Sequence, residues 1–186
     1  MTTLTEDEIT RASTTGRWQS LETCDTAEDF ADAYYNALNS ARKTIASFYI
    51  PPSSIAPGRS LPLITYNGQQ LSDPAALQTA FDDQMPFTFF EVQSLNVHVT
   101  NPAIADIGPA PAKGKSRTKE LEQNMSLLVQ VSGYVRLVER KEGPMRGFSD
   151  SIVLVPNKEQ VGGKGKAKSG EGRSWLIQTQ NFRFVV

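Results

Sequence analysis

Few side chains of this chain could carry covalent or acid–base chemistry, so each can be followed by itself. His98 is the only histidine and Cys24 the only cysteine among 186 residues. That pair rules out an intrachain disulfide and any His- or Cys-rich metal cage, so no metal and no cofactor is expected. A general base must reach its substrate. Leu95, Val97 and Val99 share one parity of an apolar run, which turns His98 to the opposite face. Cys24 has Glu22 and Asp25 beside it, surroundings that disfavour a thiolate. Asp150 is the one residue with a chemical case. It shares parity with Phe148, Ile152 and Leu154, so a strand there points it inward, where the base of an isomerase or dehydratase would stand. Such a base needs a second polar group for the developing oxyanion, and Tyr34, Tyr35 or Tyr66 could supply it. A buried aspartate satisfied near a pocket mouth by a backbone or hydroxyl donor is the weightier reading. No catalytic residue is assigned.

The remaining residues of interest suit binding. Arg183 stands between Phe182 and Phe184 near the end of the chain. If both rings turn inward, Arg183 must project from the other face of the sheet. A guanidinium there suits forked pairing with a partner's carboxylate. The run Ser126–Arg140 divides the same way: Leu127, Val129, Val131, Val135 and Leu137 form one face, and Leu128, Gln130, Ser132, Tyr134 and Arg136 the other. The second set is too polar for a core, yet it has the aromatic-plus-arginine character of a contact surface. Lys113, Lys115, Arg117 and Lys119, and further on Lys164, Lys166 and Lys168, could touch phosphates. No aromatic residue is interleaved with them to stack on bases, so such contacts would ignore base identity.

Elements must position these groups. With 39% apolar residues and a formal charge of −1, the chain is one ordinary domain and not a wholly basic nucleic-acid binder. No apolar run is long enough for a membrane span and the N-terminus is acidic, so a soluble, intracellular protein with no membrane association is expected. Residues 1–16 read as a flexible lead-in and 17–186 as a single domain. Phe30, Tyr34, Leu38, Ala41 and Ile45 predict a helical stripe, with Thr26 and Asp29 as a capping box and Trp18 and Leu21 as an earlier extension. Adjacent on that helix, Tyr34 takes the stripe and Tyr35 its border. Pro51-Pro52 ends the segment and a loop runs to Ser60. Leu63–Tyr66, Asn67-Gly68 and Gln69–Leu71 predict a hairpin. Ser72-Asp73-Pro74 predicts a helix start, with Leu77 and Phe81 stacked and Pro86 as the stop. Strands follow at Phe87–Val99, Ser126–Arg140, Phe148–Val155 and Arg173–Val186, separated by long insertions at 101–123 and 157–172. In the last strand Trp175 and Ile177 are odd while Phe182 and Phe184 are even. Both pairs enter one core only with a bulge near Gln178–Asn181. Helices followed by antiparallel strands give an α+β class.

Several of these pieces resemble the nuclear transport factor two-like family. They are Ala27-Glu-Asp-Phe-Ala-Asp-Ala-Tyr-Tyr35, Phe48-Tyr49, Tyr66-Asn67-Gly68, Phe148-x-x-x-Ile152-x-Leu154 and Asn181-Phe-Arg-Phe184. The resemblance implies a cone, with helices packed in the hollow of a bent antiparallel sheet. Within the family it is similar to the small subunits of fungal mRNA export receptors. That implies a non-enzymatic subunit that forms a heterodimer, sheet face to sheet face, with a related domain of the large subunit. It also implies contacts with nuclear pore proteins, RNA cargo met through the basic loops, and a location in the nucleus and pore with shuttling to the cytoplasm. Asp150 departs from the family's Phe-x-Gln-x-Phe pattern. The alternatives are an isomerase or dehydratase of the same fold using Asp150, and a carrier for a small GTPase.

Overall fold

The computed structural model describes residues 24–57, 59–100, 125–157 and 172–185. Helix α1 spans 24–40 and buries Ala27, Phe30, Ala31, Tyr34, Tyr35, Ala37 and Leu38. Thr26 therefore lies inside α1, and the predicted capping box with Asp29 is not its start. Trp18 and Leu21 lie outside the described residues. The predicted stripe also stops short. Ala41 takes φ −124° and ψ 50° and is exposed, and the chain continues as a 3-10 helix, Arg42–Phe48, that buries Ile45 and Phe48. A second correction concerns the adjacent tyrosines. Tyr34 and Tyr35 are both buried, at 1% and 3% exposure, because a sheet curved around α1 covers more of its circumference than a flat layer would.

Residues 51–60 were expected as loop. They instead contain an exposed strand, β1 (Ser53–Ala56), and the start of another, β2 (Arg59–Leu61), paired with each other in a sheet of their own. Backbone pairing there needs no apolar alternation, so the sequence pattern is silent. The predicted hairpin is present as β3 (Leu63–Tyr66) and β4 (Gln69–Leu71), with Asn67 at φ 49° and Gly68 at φ 86°. Those left-handed values are why Asn-Gly serves as this turn. Helix α2 (Pro74–Thr79) starts where predicted: Asp73 caps it by accepting from the Ala76 amide at 2.8 Å, and Pro74 follows. It runs on as a wider turn, Ala80–Gln84, that buries Phe81. Arg42 closes this end. Its guanidinium donates to the carbonyls of Phe81, Met85 and Pro86 and to the Thr88 hydroxyl, satisfying carbonyls that a helix end leaves open.

The remaining strands are β5 (Thr88–Val99), β6 (Leu127–Leu137), β7 (Met145–Pro156) and β8 (Trp175–Val185). The six-stranded sheet has the order β4-β3-β8-β7-β6-β5. It is mixed where an antiparallel sheet was expected, because β3 lies parallel to β8. No tight turn joins β3 to β8, which lies more than a hundred residues further along the chain, so no hairpin imposes the antiparallel sense on that pair. Strand β6 alternates buried and open as its sequence predicts, with Leu127, Val129, Val131 and Val135 inward. The expected bulge exists: Leu154 pairs Ile177 and Val153 pairs Thr179, leaving Gln178 unpaired. Ile177 before it and Phe182 after it are both buried. The hollow holds Phe30, Tyr34, Leu38 and Phe182, as predicted, with Trp175 half-buried at its margin.

Candidate functional site: a filled hollow and an open sheet face

Asp150 points into the hollow from β7 and is fully buried. Oδ2 accepts from the Tyr35 hydroxyl at 3.0 Å and from Gln180 Nε2 at 2.7 Å. Gln180 is turned by its other end. Tyr34 and Tyr49 both place their hydroxyls on Oε1, at 3.0 Å for Tyr34, and stand 2.8 Å from each other. Donors facing Oε1 leave the amide to face the aspartate, so the polar hydrogens on Gln180 and Tyr35 converge on one carboxylate oxygen. Oδ1 has no partner among the described residues. Burial raises the Asp150 pKa from 3.8 to about 6, against the opposing pull of the bonds from Gln180 and Tyr35 and of the neighbouring Ser151 amide dipole. Burial also pushes the Tyr34, Tyr35 and Tyr49 hydroxyls well above their usual range, so they act as neutral donors.

The expectation of an inward Asp150 with a hydroxyl donor holds. Tyr35 packs on Phe148 and Phe90 at 5.5 and 5.9 Å between ring centroids, and Phe148 stacks on Phe182 at 5.6 Å. These rings pack around the Asp150 side of the hollow. Gln180 and Tyr49 were not singled out from sequence. Once the bulge is put at Gln178, Gln180 shares the parity of Phe182, and that was the available signal.

The opposite face of the sheet is built differently. Cross-strand partners define rows across it, because residues in register share a face. One row is Ser94, Ser132, Ser149 and Arg183; the next is Asn96, Gln130, Ser151, Asn181, Thr65 and Gln70. Both are polar and, Arg183 excepted, uncharged. Towards one end follow Glu91, Tyr134, Gly147 and Val185, then Phe89, Arg136 and Met145. Towards the other end stand His98, Leu128, Val153, Thr179 and Leu63. Leu63, Tyr134, Met145 and Val185 are exposed. The chain has 19 basic and 20 acidic residues, yet these rows carry only Arg136, Arg183 and Glu91. A solvated sheet face is normally rich in lysine and glutamate. Loss of charge with Tyr, Met and Arg retained is the composition of a contact surface.

The sequence-predicted residues fall as follows. Arg183, Tyr134, Gln130 and Ser132 are exposed on this face, with Leu128 and Arg136 half-buried among them. Arg183 has no carboxylate partner among the described residues. His98 is exposed on the same face, as its parity predicts. Cys24 is exposed on α1. Lys113, Lys115, Arg117, Lys119, Lys164, Lys166 and Lys168 lie outside the described residues. Among the described residues no group of His, Cys, Asp and Glu could hold a metal ion, and no helix is long and apolar enough to cross a membrane. Met145 and Gly147 were missed because β7 was expected to begin only at Phe148, whereas Val185 lay within the expected last strand and was not singled out.

Solved structures share this architecture. A chain of a Mex67:Mtr2 assembly with a Sac3N peptide bound superposes with a TM-score of 0.64 at 24% identity, over 88% of this chain and 99% of that one. A chain of the Chaetomium thermophilum Mex67 NTF2-like domain complexed with Mtr2 gives 0.64 at 23% identity, over 88% and 98%. A structure of Mtr2 gives 0.58 at 21% identity, over 88% and 99%. Curated protein sequences give no match. The nuclear transport factor 2 (NTF2) domain profile matches residues 26–164. That stretch takes in nearly all of α1, the strands β1 to β7 and Asp150, though not β8, and the chain belongs to the NTF2 domain family.

Proposed function

We propose that this protein is the small, non-catalytic subunit of an mRNA export receptor. In this reading the outer sheet face pairs with a related NTF2-like domain in a Mex67-type large subunit. The observation that carries it is the charge-depleted face bearing Tyr134, Met145, Arg136 and Arg183, which lies open above a hollow closed by aromatic rings. Five rows two residues apart on six strands cover roughly 27 by 24 Å. Curved and side-chain-studded, such a plane is of the order of the ~800 Å² per partner that stable interfaces bury. The similar structures include Mex67:Mtr2 assemblies, which supports a partner of the same fold. Arg183 pairs there with a partner carboxylate. The heterodimer acts in the nucleus and at the pore and shuttles to the cytoplasm, contacting pore proteins, with the lysine-bearing stretches meeting RNA phosphates.

The test is co-expression with the NTF2-like domain of the Mex67-type protein encoded in the same genome. A stable one-to-one complex by light scattering is expected. A well-behaved monomer with no calorimetric affinity for that domain would refute the proposal. Asp150 supports no catalytic reading. A base must come within hydrogen-bonding distance of its substrate, and this carboxylate is fully buried with a tyrosine and a glutamine on it.

A further inference from the structure

Glycine inside a strand gives up side-chain packing and β-propensity, so each one needs a reason. Gly68 has φ +86° in its turn. Gly133 faces the bulge in β5, where a Cβ would stand 2.0 Å from the Glu91 carbonyl oxygen. Gly143 would bring a Cβ to 2.1 Å from the Leu137 carbonyl oxygen. Gly147 has no such reason. The nearest atom to an added Cβ is Val185 Cβ at 3.4 Å, an ordinary contact, and its φ is not left-handed. The fold does not require glycine at 147. A strand glycine without an internal reason suits a place where another molecule approaches the backbone closely.

Its surroundings describe that molecule. Gly147 stands in register between Tyr134 and Val185 on the outer face, with Met145 and Arg136 in the next row on one side and Ser149 and Arg183 on the other. Tyr134, Met145 and Val185 are 46%, 53% and 54% exposed, three apolar walls around a position with no side chain. Two guanidiniums and a single acid, Glu91, ring it. We propose that Gly147 floors a socket for one large apolar or aromatic side chain of the partner domain, flanked by a partner carboxylate that meets Arg183 or Arg136. The inference rests on the heterodimer reading and deepens it, by naming where the binding energy concentrates. Anchors of this kind sit in pockets walled by aromatic and arginine side chains, and filling the pocket displaces them.

Gly147→Val tests it in the full chain with the large subunit's NTF2-like domain as probe. Valine favours the strand and its Cβ meets only ordinary contact with Val185, so the variant alone should unfold at the same temperature as wild type or higher. Its affinity for the partner should fall by about tenfold or more. Val185→Ser, which removes one exposed wall without filling the notch, should weaken binding in the same sense. Arg183→Glu is measured alongside. If Arg183→Glu weakens binding while Gly147→Val and Val185→Ser bind as wild type, the socket is wrong and the heterodimer face stands. If none of the three changes affinity, the heterodimer reading falls as well. If wild type alone forms a dimer that Gly147→Val dissolves, a second copy fills the notch and the partner assignment is overturned.

Discussion

Two residues on opposite faces of the sheet behave in opposite ways. Asp150 is buried with its pKa raised from 3.8 to about 6. Between those values the folded state binds more protons than the unfolded one, so this group's contribution to stability falls as pH rises through that window and is level above it. The change amounts to at most about 3 kcal/mol. Asp150→Asn keeps an oxygen for Tyr35 and Gln180 and puts an amide where Oδ1 has no partner. Denaturation from pH 4 to 7.5 should show the Asn variant gaining on wild type as pH rises. A constant difference across the series would contradict the buried, proton-linked carboxylate. Arg183 is exposed, and its loss should leave the isolated fold unchanged. Arg183→Ala should cost about 2–5 kcal/mol of heterodimer affinity, because the partner's acid is then desolvated and unpaired. Arg183→Glu should cost more, and an acid-to-Arg change on the partner should restore part of it. Wild-type affinity for Arg183→Glu would remove Arg183 from the interface.

Among the elements, β8 carries the greatest consequence. Before Gln178 its odd residues face inward, and after it the even ones do. Without the extra residue, either Ile177 or the set Gln180, Phe182 and Phe184 would turn to the other face. Deleting Gln178 should therefore abolish cooperative unfolding, whereas Gln178→Ala, which keeps the count, should retain the melting profile of wild type. Soluble, cooperatively melting protein from the deletion would show that the register can slip without loss. The cap of α2 is worth less. Asp73→Ala removes one bond to the Ala76 amide and should cost about 1 kcal/mol in urea denaturation. The parity change in β8 and the capping residue of α2 are visible in the residues themselves. The switch to a 3-10 helix at Ala41 is not. There the segment is tied down by Arg42, which reaches carbonyls of Phe81, Met85 and Pro86 some forty residues away.

At the scale of the molecule, two predictions concern what the domain meets. Replacing residues 161–172 by a short turn should leave both the melting temperature and the heterodimer affinity unchanged, since that stretch offers almost no apolar surface to a core. If Lys164, Lys166 and Lys168 touch RNA phosphates, the assembled heterodimer should bind RNA less tightly without them. The dependence of affinity on salt should also become shallower by up to about one unit of slope per lost contact. Equal affinities and equal slopes for both constructs would show that these lysines only keep the stretch soluble.

Alternation, turn chemistry and capping act over a few residues. For that reason the sequence alone determined the Asn67-Gly68 hairpin, the Asp73 cap, the inward face of β6, the bulge of β8 and the outward setting of Arg183 and His98. The family likeness carried by those same pieces determined the order of helices and sheet. Tertiary structure decided whatever depends on partners distant in the chain. A curved sheet wraps α1 widely enough to bury Tyr34 and Tyr35 together, which a helical stripe on a flat layer forbids. The parallel sense of β3 on β8 joins segments more than a hundred residues apart, and no periodicity records it. Gln180 becomes the link between Tyr34, Tyr49 and Asp150 only when β7 and β8 are in register. The socket at Gly147 exists only because Tyr134, Val185 and Met145 reach it from three strands. A glycine read along the chain has no face, and it acquires one when its neighbours are fixed in space.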